Sequence, residues 1–102
     1  MRREVAIQAE HAMNEVANSA YALNPGLQTI ELTLAFDELN LDVTADYEGL
    51  PIQIVQSAPS PKDLETDRGI TVLSTFMICQ FVDRVKVRKR KGMCSILMHL
   101  DH

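Results

Sequence analysis

Hydrophobic residues recur along this chain with two periods, one helical and one alternating. Between Arg3 and Leu23 they return every three or four positions, which predicts an amphipathic helix that ends at the Asn-Pro-Gly sequence of residues 24 to 26. The same period predicts a second helix from about Gly69 to Val82. Residues 56 to 68 are polar and include two prolines, so they are predicted to form a loop with one helical turn after Pro61.

Four other segments alternate between apolar and polar residues, as strands with one buried face do. Residues 29 to 36 and 40 to 46 flank a short Asp-Glu-Leu sequence and predict an antiparallel hairpin. Residues 85 to 90 and 94 to 100 flank Gly92 and predict a second hairpin. The side chains expected to point inward are Ile30, Leu32, Leu34, Phe36, Leu41, Val43, Ala45, Cys94, Ile96, Met98 and Leu100.

The order helix, hairpin, loop, helix, hairpin predicts an α/β (α+β) fold. We expect a two-layer sandwich of about four mainly antiparallel strands, with both helices on the one apolar face of the sheet. A length of 102 residues is enough for one core, so residues 1 to 102 are predicted to form a single domain. The polar strand faces, such as Thr29, Glu31 and Thr33, favour a monomer or a weak dimer.

The composition narrows the classes of function. A net charge of -4 argues against a general nucleic-acid binder, which needs a basic surface. The two cysteines, Cys79 and Cys94, lie in apolar surroundings and are expected to be small buried residues in a reducing compartment. No apolar run approaches the roughly 20 residues that cross a bilayer, and no signal peptide is legible, so the chain itself is predicted to be soluble.

One flank of the first predicted helix carries Glu10, Asn14 and Asn18 at a spacing of four residues. Residues four apart are neighbours on a helix, so the three would form a row able to present an acid and two amides to one ligand. A solvated flank beside the apolar stripe has the same spacing. Both interpretations stay open at this point.

The order of the elements and the Glu-x-x-x-Asn-x-x-x-Asn row resemble the ATP-binding domain shared by histidine kinases, anti-sigma-factor serine kinases, gyrase B and a heat-shock chaperone, the GHKL or Bergerat fold. The resemblance covers essentially the whole chain. It implies a reduced histidine-kinase-like fold in which Glu10 stands beside the reacting centre and Asn14 coordinates magnesium on ATP. Asn18 would be the third member of the row.

The motif that recognises adenine in that superfamily is altered in this chain. An Asp-x-Gly-x-Gly motif normally closes the second strand, and a gapless alignment keeps Gly49 but places Tyr47 at the Asp position and Pro51 at the second Gly position. Asp46 comes one residue early and is expected to point to the opposite face of the sheet. The adenine contact is therefore predicted to be lost.

The glycines that approach the phosphates are also altered. The superfamily has a Gly-x-Gly turn at the start of the last helix, where backbone N–H groups hold the phosphates. Here Val72 and Ser74 occupy those two positions, and Gly69 comes too early. The resemblance thus implies a degenerate nucleotide site, no catalysis and no bound cofactor, with Mg-ATP as the alternative.

A narrower resemblance accounts for a chain that keeps the predicted fold but lacks the nucleotide-binding motifs. The segments EHAMN, FDELNLDV, DYEGLPI, APSPKDL, DRVKVRKRKG and HLDH are similar to the cytosolic C-terminal tail of bacterial xanthine/uracil permeases, in the nucleobase:cation symporter family. This implies a tail domain on the cytoplasmic side of the inner membrane. Its partners would be the transmembrane transport domain of the same chain or another tail.

The C-terminal residues admit a metal site and a simpler interpretation. His99, Asp101 and His102 offer nitrogen and oxygen ligands close together in the sequence. A frayed polar terminus is the favoured interpretation.

A basic run covers the predicted tip of the second hairpin in an otherwise acidic chain. Such a run commonly deters pairing of an edge strand, and near a membrane it would instead contact anionic lipid at about 1 kcal/mol per basic residue. The run consists of Lys86, Arg88, Lys89, Arg90 and Lys91.

Three functions therefore compete. The first is a non-catalytic regulatory or interaction domain of a nucleobase permease. The second is an ATP-binding kinase of the anti-sigma-factor type, in which Glu10 and Asn14 act with magnesium. The third is a stand-alone adaptor unrelated to transport.

Overall fold

The computed structural model describes residues 3–54 and 69–101. The predicted loop at residues 56 to 68 lies outside these residues. The chain order confirms the predicted sequence of helix, hairpin, helix and hairpin. The elements are α1 (Arg3–Leu23), β1 (Glu31–Phe36), β2 (Asn40–Glu48), α2 (Gly69–Phe81), β3 (Arg84–Arg90) and β4 (Met93–Asp101).

The strands form one sheet in the order β1-β2-β4-β3, and each neighbouring pair is antiparallel. Both hairpins are as predicted. The connection from β2 through α2 to β3 crosses over β4, so β2 and β3 run parallel to each other with β4 between them. The two-layer α/β sandwich is confirmed.

The first helix supplies most of the small apolar side chains between the layers. Its buried residues recur every three or four positions, as the sequence predicts, and α1 contacts α2, β2 and β4. Ser19 is an unpredicted member of this stripe, with 2% of its surface exposed. The apolar members of the stripe that are buried are Val5, Ala9, Ala12, Val16 and Ala20.

The inner faces of β2 and β4 form the other side of the core, and the alternation predicted them correctly. Their buried residues are Leu41, Val43, Ala45, Tyr47, Cys94, Ile96, Met98 and Leu100. In α2, Thr75 and Ile78 are buried, whereas Leu73 is 41% exposed.

Strand β1 departs from the prediction of a half-buried strand. All six of its residues are exposed, including Leu32 at 44%, Leu34 at 49% and Phe36 at 69%. These side chains share the helix-side face with β2, but β1 lies at the edge of the sheet, and neither helix contacts it in the part of the chain that the structure describes. The alternation of residues correctly identified the apolar face of β1, but it could not show whether a helix covers that face.

The turns of the two hairpins fix the strand registers. Asp37 Oδ1 accepts hydrogen bonds from the backbone N–H groups of Leu39 and Asn40, each at 2.8 Å, and so closes the first turn. Lys91 and Gly92 form the second turn with φ angles of 52° and 80°. Positive φ at both central residues is the signature of the tight turn that matches the twist of a hairpin.

Candidate functional site

The helix brings the predicted row of Glu10, Asn14 and Asn18 onto one exposed flank of α1. None of the three makes a side-chain hydrogen bond to another residue in the described part of the chain. Beside them, the His11 ring stacks on Phe81 of α2, with ring centroids 5.2 Å apart. The row is therefore free to meet a partner, and it does not line the cleft described below.

Gly49 lies apart from the row, at the C-terminal end of α1. A Cβ atom at Gly49 would lie 2.4 Å from Asn24 Oδ1, and its φ of 152° is one that side chains rarely adopt. Fourteen residues separate Glu10 from Asn24, which is about 21 Å along a helix axis. The structure thus brings the three row residues together but places Gly49 in a different environment.

That environment is a clamp made by the Asn24 side chain. Its Nδ2 donates to the carbonyls of Ala20, at 3.0 Å, and Leu50, at 3.2 Å, while its Oδ1 accepts from the Leu50 N–H at 2.7 Å. The clamp closes the last turn of α1 and ties it to the chain after β2. Gly49 is required here for close packing against Asn24, which explains its presence without a nucleotide.

Tyr47 is the residue predicted to replace the adenine-binding Asp. Its side chain is 2% exposed, and its hydroxyl donates to the Leu50 carbonyl at 2.8 Å. Burial is the main cause that raises the pKa of Tyr47 far above its ordinary value, so the hydroxyl stays protonated. Asp46 points to the opposite face, as predicted, and accepts a hydrogen bond from Ser95.

The remaining predicted motif positions do not form a phosphate turn. Val72 and Ser74 lie inside α2, which begins at Gly69, and their side chains are outside the described part of the structure. Ser74 lies beyond the first turn of α2, where a backbone N–H group bonds to the preceding turn and is not available to a phosphate. Pro51, at the second Gly position, is half-buried.

An open cleft of about 740 Å³ lies where the turn after α1 meets the ends of β1, β2 and β4. Its walls include the carboxylates of Glu31, Asp46 and Glu48 together with Met93. An acidic wall disfavours a phosphate ligand, because like charges would face each other. Neither the polar row of α1 nor Gly49 lines this cleft.

The C-terminal residues form an ordered cluster on the outer face of the sheet. His99 Nδ1 lies 2.6 Å from Asp42 Oδ1, and its Nε2 lies 2.8 Å from Asp101 Oδ1. The pKa of His99 is raised, first by Asp42 and then by Asp101. The predicted frayed terminus is therefore wrong as far as Asp101, because β4 pairs with β2 up to the Asn40 and Asp101 pair.

The side chains of this cluster are arranged as ion pairs. Both ring nitrogens of His99 already face carboxylates, so neither has a lone pair directed at open space. Among residues 3–54 and 69–101, no three His, Cys, Asp or Glu side chains are grouped to hold a metal ion. His102 lies outside the described residues.

The predicted basic run divides between two faces of the second hairpin. Lys86, Arg88 and Arg90 alternate onto the outer face of the sheet with Arg84, which the prediction did not include. Lys89 is on the helix-side face, and Lys91 is in the turn. All are exposed, so the run separates into a strand column and a hairpin tip.

Comparisons with known proteins identify no relative of this chain. No family model, curated protein or solved structure matches the chain. Neither described helix has the length and apolar character that a membrane span needs.

Proposed function

We propose that this chain is a non-catalytic interaction domain. The observation that carries the proposal is that Tyr47 is buried with its hydroxyl bonded to the Leu50 carbonyl. An adenine amino group would need an accessible acceptor at this place, and the Tyr47 oxygen is buried in the core, where its hydroxyl already donates to a carbonyl. Asn24 fills the approach to Gly49, so the chain's own side chains take the space that a base would use.

The resemblance to xanthine/uracil permease tails supports a more specific role. In this proposal the domain is attached to the cytosolic side of a nucleobase permease and contacts its transport domain or another tail. The exposed charged side chains of β3 and the exposed apolar side chains of β1 are available for such a contact.

An antibody against the domain tests the permease context directly. In the source organism it should detect a membrane-fraction protein much longer than these 102 residues. Deleting the domain from that protein should then change xanthine or uracil uptake. A single band in the soluble fraction, with the mass of a 102-residue chain, would contradict the permease proposal.

Mg-ATP binding is the alternative, because the row of Glu10, Asn14 and Asn18 is exposed and unbonded within the described residues. A thermal melt with Mg-ATP distinguishes the two functions. A ligand at a hundred times its dissociation constant adds about 2.7 kcal/mol, which raises the midpoint of a domain this size by roughly 10 °C. We expect no shift, and a rise of that size that disappears in Asn14→Ala would favour the kinase.

A further inference from the structure

The face of the sheet opposite the helices carries charge in two separate columns. We call this surface, made by the outward side chains of the four strands, the open face. Its acidic column on β2 consists of Asp42, Asp46 and Glu48. Its basic column on β3 consists of Arg84, Lys86, Arg88 and Arg90.

The strand register aligns the two columns row by row, with Met93, Ser95 and His99 of β4 between them. Asp46 pairs with Ser95, and Ser95 pairs with Arg88. In the same way Glu48, Met93 and Arg90 form one row, and Asp42, His99 and Arg84 form another. Two strand spacings, about 10 Å, separate the acid from the base within each row.

The charges of the basic column are not neutralised within the described chain. No ion pair joins any of its four residues to a carboxylate in residues 3–54 or 69–101, and all four are exposed. Asp46 and Asp42 are held in place on the same surface by Ser95 and His99. The open face thus presents fixed acids beside free bases.

We propose that the open face binds a second copy of this chain. This inference rests on the proposed interaction role and names its partner. A two-fold axis parallel to β4 would place the acidic column of each copy over the basic column of the other, at the same height along the strands. An axis across the strands would instead place each column over its own kind. Only the first arrangement pairs opposite charges, and two-fold contacts are the commonest in homo-oligomers.

The dimensions of the open face suit this contact. Sheets pack face to face about 10 Å apart with their strands nearly aligned, a gap that an Arg and a carboxylate side chain together span. Four strands up to about 30 Å long cover on the order of 500 Å² in projection, near the scale of the roughly 800 Å² of accessible surface that a standard interface buries per partner. Met93, 40% exposed, and Leu97, half-buried, lie near the axis and would supply its apolar centre.

An anionic lipid surface fits the open face less well. A flat membrane that met the basic column would also meet Asp42, Asp46 and Glu48, about 10 Å away on the same face, and these would be repelled. The chain as a whole has a net charge of -4. Lipid contact would instead involve the hairpin tip, where Lys89 is on the helix-side face and Lys91 is in the turn.

Sedimentation equilibrium of the chain and a charge-reversed pair of variants test the proposal. We expect a dimer at about 0.05 M salt that weakens at about 0.5 M, since exposed charge pairs are screened. Arg88→Glu with Arg90→Glu should raise the dimer dissociation constant about a hundredfold or more, because two like-charge contacts form on each side of the axis. Lys89→Glu with Lys91→Glu makes the same change in net charge off the open face and should leave the constant within about threefold.

A complementary variant makes the test specific to the proposed arrangement. Asp46→Arg with Glu48→Arg should also be monomeric alone, and an equimolar mixture with Arg88→Glu, Arg90→Glu should form a heterodimer, because every reversed pair is restored across the axis. A wild-type monomer at low salt, or a dimer that the open-face variants leave intact, would overturn the inference. Either result leaves the non-catalytic role standing, because the Mg-ATP melt tests that role separately.

Anionic vesicles provide the last comparison. If the wild-type chain sediments with phosphatidylserine vesicles, and both the Arg88, Arg90 variant and the Lys89, Lys91 variant abolish this, then the whole basic run faces lipid and the self-association proposal is wrong. If neither variant changes vesicle binding while the first abolishes the dimer, the assignment of the open face to a second copy is supported.

Discussion

His99 of β4 and Asp42 of β2 are directly paired across the two strands, with Nδ1 of the imidazole 2.6 Å from Oδ1 of the carboxylate. Asp101 contacts the other ring nitrogen at 2.8 Å. The two carboxylates favour the protonated imidazole and raise the pKa of His99, with Asp42 the larger cause. This relationship makes the stability of the C-terminal strand depend on pH.

The sign of that dependence follows from the raised pKa. The contribution of His99 to the free energy of unfolding is fully present below the unfolded pKa of about 6.5, and it is lost as pH rises through the higher folded pKa. Urea unfolding should therefore give a stability that falls through this window. Asp42→Asn should shrink the dependence and His99→Gln should remove its share. A titration of the His99 ring protons by NMR with a midpoint below 6.5 would contradict the assignment.

Gly49 is expected to tolerate no side chain. In Gly49→Ala the new Cβ would meet Asn24 Oδ1 at 2.4 Å, so the Asn24 clamp must open, and the φ of 152° adds strain. We expect a loss of about 2 to 4 kcal/mol in the free energy of unfolding, the sum of backbone strain and lost hydrogen bonds.

Gly26 is the matched control for this change. Its φ of 96° is also unfavourable for alanine, but nothing lies within 4 Å of its Cβ position. Gly26→Ala should lose only about 1 kcal/mol. Equal losses for the two variants in urea unfolding would mean that the clash with Asn24 is relieved at no cost.

The fold was predictable because its periods are strong. Val5 to Ala20 keep the helical period, and the strand that contains Ile96 and Met98 alternates without a break, so element type and buried face both follow from local sequence. The edge position of β1 did not follow. Alternation reports the character of Leu34 and its neighbours but carries no information on strand order or on what the helices cover.

The site was predictable only where local geometry decides it. The slip of one residue that sends Asp46 to the outer face follows from the period of a strand. The hydrogen bond of the Tyr47 hydroxyl and the clamp from Asn24 to Leu50 depend on the tertiary fold. No pattern in the sequence predicts either of them. The charge rows of the open face needed the register of β2, β4 and β3, which the sequence left unspecified.

Ser19 is expected to make the chain less stable than it would be with alanine at this position. It is 2% exposed near the C-terminal end of the buried stripe of α1, and its Oγ has no hydrogen-bond partner within the described residues. Ser19→Ala removes a buried hydroxyl and places the best helix former in the helix, so we expect a gain of about 1 kcal/mol. Urea unfolding measures the change, and a loss of stability would show that the hydroxyl is bonded.

Two leucines on the same face of the first hairpin are expected to differ in their contribution to stability. Leu41 of β2 is 1% exposed beneath the helices, whereas Leu34 of the edge strand β1 is 49% exposed. Leu41→Ala leaves a cavity in the core and should lose about 2 to 5 kcal/mol. Leu34→Ala removes the same atoms from a surface that is already half in water and should lose less than about 1 kcal/mol.

Comparing the two variants shows whether the apolar side chains of β1 contribute to the free energy of unfolding of the single chain. Both variants delete the same group, so any difference in the urea midpoint reflects burial and not residue type. If Leu34→Ala proves as damaging as Leu41→Ala, then β1 is covered in solution and its exposed leucines contribute to the core. If it is nearly neutral, as expected, Leu34 is available for contacts outside the chain, and adding a charge by Leu34→Lys should leave the fold intact, since edge strands accept lysine.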